Sequence, residues 1–218
     1  MASFALRLFT DRLAPGAALT LDGNACRILY VAEGRLTVAA GGTVAALAPD
    51  TAWHGTAASL RAGADGARVL RYELGAGDRA PASDSGLALA APIGLERERA
   101  WLIRCDRVEF PPGGVAYTHT HQGPGIRCLQ QGGIRVETAG TVRHYAPGEA
   151  WFESGPDPVF AAGSESATTA FVRVMVLPRD YLGRSSIRYV RPEDEGKPRR
   201  QSYRIYIDTP VSLPGSPA

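Results

Sequence analysis

At 218 residues, 44% hydrophobic and 21% charged, the chain is long enough to bury a core and ordinary in composition for a globular protein. A net charge of +2 argues against a polyanion-binding surface, so neither nucleic acid nor a membrane is an expected partner. Cys26, Cys105 and Cys128 fit neither a disulfide framework nor a zinc spacing. The first residues, MASFALRLFTDRLAPG, lack an apolar core with a cleavage site. Reduced thiols and a cytoplasmic location are therefore expected.

The 25 glycines and 16 prolines, with few helix-period patterns, favour short strands joined by turns. Phe4, Leu6 and Leu8 alternate with polar neighbours, as in a half-buried strand. After the Pro15–Gly16 turn come ALTLD, RILYVAEGRLTVAA, a Gly41–Gly42 turn and TVAALAP, and the meander ends in RVLRYEL. This gives a first unit over residues 1–74. Residues 75–97, rich in Gly, Ala, Ser and Pro, read as a linker with room for a short helix at its end. A second unit over 98–178 opens with WLIRCDRVEF, turns at Pro111–Pro112–Gly113–Gly114, and closes with FVRVMVLP.

The two units are copies. APDTAW at 48–53 matches APGEAW at 146–151, an offset of 98, and the same offset lays RILYVAEGRLTV on GIRCLQQGGIRV with Gly34 on Gly132. Pro15–Gly16 matches Pro112–Gly113 at an offset of 97, a drift of one residue. Residues 179–218 have no counterpart and read as a C-terminal extension. SYRIYID has the character of an edge strand, and the many arginines leave an anion site as the lesser alternative.

The chemistry concentrates in PGGVAYTHTHQGPGIRCLQQG. His119 and His121 lie two apart, so on a strand both imidazoles face one side. Two histidines and a carboxylate are the usual minimum for a mononuclear iron site. Gly113, His119, His121 and Gly132 resemble the first motif of the cupin family, Gly-x5-His-x-His, a spaced glutamate, then Gly; Gly125 stands in the glutamate's place. The second motif is retained only at Gly148, and Val159 falls where its histidine would stand. The resemblance implies an all-β chain of two tandem cupin (jelly-roll) β-barrels, a bicupin, with cupins commonly pairing as homodimers. Leu21 and Gly23 replace the histidines in the first barrel, which reads as a structural partner or an apolar pocket.

That family's metal takes three histidines and a glutamate, so the set here is incomplete. If a divalent metal (Fe, Mn, Ni or Zn) binds, His119 and His121 are ligands, with Glu153 as substitute ligand or general base. If the strand parity of the histidines continues, Arg127 also faces inward. It then either orients a small carboxylated molecule or pairs with Glu109, Glu137 or Glu149. Tyr117, of the same parity as His119, is a candidate hydrogen-bond donor, and Gly125 is expected to widen the pocket. Three functions stay open: a metal-dependent enzyme of dioxygenase, lyase or isomerase type, a metal-free binding or sensor protein, and a purely structural assembly protein.

Overall fold

The structure, a computed structural model, describes residues 2–77 and 85–214. Part of the expected linker, residues 78–84, lies outside the described residues. The chain divides into two compact units, residues 1–99 with 211–218, and residues 100–210.

Seven strands build unit 1: β1 (Ala2–Leu13), β2 (Ala18–Leu21), β3 (Cys26–Ala40), β4 (Thr43–Leu47), β5 (Thr51–Gly55), β6 (Ala58–Ala76) and β7 (Leu87–Leu95). They form one sheet in the order β4-β3-β6-β1-β7, with β2 paired to β6 and β5 to β3. The long strands β3 and β6 pair along most of their length, with register shifts beside Glu33 and Gly34. Gly34 sits at φ +74°, and a Cβ there would run into the carbonyl of Gly66. A glycine is required on both grounds. Leu29, Val31, Leu36, Val38, Leu60 and Val69 fill the core.

Unit 2 has β8 (Trp101–Phe110), β9 (Val115–His121), β10 (Gly125–Gln131), β11 (Ile134–Thr138), β12 (Thr141–Tyr145), β13 (Ala150–Glu153), β14 (Val159–Gly163), β15 (Thr169–Pro178), β16 (Ile187–Tyr189) and β17 (Ser202–Val211). Two five-stranded sheets result, β13-β10-β15-β8-β17 and β12-β11-β14-β9-β16. Gly132 ends β10 at φ +74°, and a Cβ on it would meet the Thr168 carbonyl. It repeats the conformation and close approach of Gly34, as the sequence duplication predicts. Phe110, Leu129, Ile134, Val136, Trp151, Val159 and Phe171 form the core of this unit. The all-β reading holds: two jelly-roll-like barrels, with a 3-10 turn (Arg179–Tyr181) and one helical turn (Pro192–Glu195).

One segment differs from expectation. Residues 87–95 of the expected linker form β7, paired antiparallel to β1 from Leu95 opposite Ala2 to Leu87 opposite Phe9. There, Ala91, Ile93 and Leu95 are buried in alternation with exposed neighbours. Small residues blunt that alternation in the sequence, and the ladder to β1 supplies the order that side-chain pattern does not. The C-terminal extension supplies β16 and β17, each the edge strand of a sheet in unit 2. No helix among the described residues is long and apolar enough to cross a membrane.

Candidate functional site

A cavity of about 20 Å³ lies inside unit 2, room for roughly one water molecule. Its apolar wall includes Phe110, Ala116, Ile134, Val159, Phe171 and Ile187; His119, His121, Arg127, Glu153 and Arg173 supply its polar end.

Strand β9 delivers the histidines through a bulge. Val159 on β14 pairs with His119, but Ala161 pairs with Ala116, so β9 carries one extra residue between them. The bulge inverts the alternation: Ala116, His119 and His121 face the cavity, and Tyr117 does not line it. Tyr117 therefore gives no hydroxyl to the site; Lys197 Nζ lies 4.3 Å from its ring centroid. The bulge lies within the stretch from Gly113 to Gly125 over which the offset between the repeats changes from 97 to 98. Tyr117 still contributes its main chain, because its carbonyl accepts a 2.7 Å hydrogen bond from His119 Nδ1.

That bond fixes the His119 tautomer and leaves a lone pair on Nε2. His121 Nε2, 3.2 Å away, then carries the proton that approaches it. Ser186 Oγ lies 3.4 Å from His121 Nδ1, and its hydroxyl donates to Met175 Sδ at 3.8 Å. Both rings are buried. Burial holds His119 below the usual histidine range, and holds His121 well below it, with the Arg127 and Arg173 guanidiniums adding to the effect. Both imidazoles are neutral at neutral pH.

Glu153 stands on β13 directly opposite Gly125 on β10. Its Oε1 accepts from Trp151 Nε1 at 2.8 Å. Its Oε2 lies 2.7 Å from Arg127 Nη2 and 3.4 Å from His121 Nε2. The guanidinium approach is close but off the hydrogen-bond axis, so this contact is one of charge, and Oε2 makes no hydrogen bond. Arg127 is 1% exposed. Its partner is thus Glu153, not Glu109, Glu137 or Glu149. Its Nη1 donates to the Gly125 carbonyl at 2.7 Å and would be 3.0 Å from a Cβ on residue 125. Gly125 therefore does not widen the cavity; Arg127 and Met175 fill the space its missing side chain leaves.

Residues that sequence reasoning missed complete the site. Arg173, opposite Arg127 on β15, binds Asp106 of β8 through both nitrogens, Nε to Oδ1 at 2.7 Å and Nη2 to Oδ2 at 2.9 Å. Ser186, Ile187 and Tyr203 come from the extension; Ile187 pairs with His121 across β16 and β9. A signal existed for Arg173: one charge inside FVRVMV, an otherwise apolar run, requires a buried counter-charge. Ser186 gave none.

The cupin resemblance implies a metal, and the donors test it. His119 Nε2, His121 Nε2 and Glu153 Oε2 are spaced at 3.2 and 3.4 Å, spans that two ligands bonded at about 2.0–2.2 Å can subtend. Against this, the only carboxylate of the three is matched by Arg127, and Arg173 adds a second guanidinium nearby. Among the described residues, no group of three or more His, Cys, Asp or Glu side chains is arranged to hold a metal ion. The charge of the site as built does not fit a dication.

No family model and no curated protein matches the chain. Solved structures do. AerE from Microcystis aeruginosa is similar with a TM-score of 0.58 at 11% identity, over 81% of this chain and 88% of that one. Oxalate decarboxylase from Bacillus subtilis, described with Mn(II) centres, gives 0.58 at 12%, over 83% and 72%. Salicylate 1,2-dioxygenase from Pseudoaminobacter salicylatoxidans gives 0.55 at 11%, over 80% and 71%. Identities this low speak to architecture alone, and the architecture this chain shares with them is the cupin fold.

Proposed function

We propose that the barrel of unit 2 binds a small carboxylated molecule without a metal ion. One observation carries the reading: four buried ionisable side chains and Arg173 gather from four strands at one end of an otherwise apolar cavity. The guanidiniums of Arg127 and Arg173 suit a carboxylate, and Glu153 Oε2 has acceptor capacity for a hydroxyl or amine of the guest. A guest larger than water must displace lining side chains, among which are Ile187 of β16 and Tyr203 of β17. A cytoplasmic location, suggested by the three free cysteines, and a homodimer are proposed alongside it, the dimer to be checked by light scattering.

The test is thermal unfolding of metal-stripped protein with a panel of small mono- and dicarboxylic acids and their matched amides. At least one acid raises Tm where its amide does not, and Arg127→Gln removes the shift. Acids and amides behaving alike across the panel would sink the reading. A second reading draws on the donor spans of 3.2 and 3.4 Å: an enzyme of dioxygenase, lyase or isomerase type with a divalent metal on His119, His121 and Glu153. It requires Arg127 to release Glu153. Stoichiometric transition metal in protein purified without chelator, lost in His119→Ala, would favour it over the first.

A further inference from the structure

We propose that Arg127 is the resident cation of this barrel: its guanidinium stands in for a metal ion and keeps metals out. The inference deepens the reading above by assigning the cause of metal independence to one side chain.

Three observations converge on it. First, Nη2 of Arg127 approaches Glu153 Oε2 at 2.7 Å, closer than the 3.4 Å from His121 Nε2 to the same oxygen. The positive charge that Glu153 meets is thus already inside the site. Second, Arg127 bends back over its own strand to the Gly125 carbonyl, through space that a side chain on residue 125 would need. A Cβ at 125 would meet the Val174 carbonyl at 2.6 Å, Met175 Cγ at 2.7 Å and Arg127 Nη1 at 3.0 Å, so in this packing no carboxylate side chain at 125 shares the site with the guanidinium. Third, the Tyr117 carbonyl holds the His119 proton on Nδ1, which puts the His121 proton on Nε2, the atom a metal would need bare. All three features favour a fixed organic cation and oppose a second, divalent one in the same few ångströms.

Removing the guanidinium while leaving His119, His121 and Glu153 in place therefore creates a two-histidine, one-carboxylate set. The probe is Co2+, read by its visible absorption and by calorimetry, added to metal-stripped full-length protein. Arg127→Gln, which keeps a polar side chain without the charge, is expected to bind one Co2+ about 100-fold or more tightly than wild type. Adding Glu153→Gln to that variant abolishes the gain, and Arg127→Lys, which keeps the charge, stays like wild type. A merely structural arginine predicts no gain of metal binding. The inference is overturned if folded Arg127→Gln gains no cobalt site, or if wild type binds Co2+ as tightly as the variant does.

Wild type supplies a measurement independent of any variant's folding. The imidazole 15N resonances of His119 and His121 are expected to stay fixed in excess Zn2+; a coordination shift of either ring would overturn the proposal. The two readings fail separately: acids that raise Tm, with no cobalt gain in Arg127→Gln, leave small-molecule binding standing and remove only this inference.

Discussion

The two barrels solve the same cross-strand pair in opposite ways. In unit 1, Arg27 on β3 faces Gly55 on β5; at the equivalent register of unit 2, Gly125 on β10 faces Glu153 on β13. Each pair sets one glycine against one charged side chain, with the sign reversed. Around Arg27 the charges close on themselves: Glu73 Oε1 accepts from Arg27 Nε and from Arg71 Nη1, both at 2.6 Å, and Arg71 also grips Asp11 at 2.7 and 3.0 Å. The Trp53 ring lies over Gly55, in the space a side chain there would need, whereas in unit 2 the equivalent Trp151 donates to Glu153. Unit 1 is thus not apolar at this register, and in place of a histidine pair it has His54, whose Nε2 lies 3.3 Å from Cys26 Sγ. Duplication preserved the frame, and the two barrels carry the charge of this pair on different strands.

The comparison breaks most readily at Glu73. Glu73→Ala leaves two buried guanidiniums without their shared carboxylate and is expected to cost about 3–5 kcal/mol, read from the urea midpoint of the full chain. A loss below about 1 kcal/mol would mean the charge network is not what stabilises unit 1 at this register. Next come the paired glycines. Gly34→Ala and Gly132→Ala each force a left-handed backbone and a clash with a facing carbonyl, and each is expected to cost about 1–3 kcal/mol. Similar losses at both positions support one inherited frame; an unaffected partner would undo it.

The smallest effect is acid sensitivity. His54 in unit 1 is lowered by burial, as are His119 and, more strongly, His121 in unit 2. Each folded value lies below the usual 6.5, so between the two the unfolded chain binds more protons. Stability is full above pH 6.5 and falls as pH drops toward the folded values. His121→Gln is expected to flatten that slope more than His54→Gln, as followed by Tm against pH; the reverse order would place the more costly histidine in the wrong barrel.

Much of the frame was legible in the sequence because turn glycines and buried alternation are local signals. Gly34 and Gly132, matched by spacing alone, carry the same +74° φ and the same close approach to a carbonyl. The His pair was legible for the same reason, since a two-residue spacing needs no knowledge of neighbours. Arg127's partner was not, because Glu153 reaches it from another strand whose register depends on the whole sheet. Tyr117 was misplaced because a drift of one residue shows that an insertion exists without saying where the strand absorbs it. Strand β7 and the site residues Ser186 and Tyr203 depend on tertiary pairing that composition does not report.

The bulge in β9 has a further consequence. Because one surplus residue sets the phase of everything after it on that strand, the two rings are tied to chain length more than to the identity of residue 117 or 118. Point substitutions there leave the rings where they are, while a single-codon deletion would swing both of them to the opposite side. The inward phase of the pair is thus held by strand length as well as by the identity of the residues.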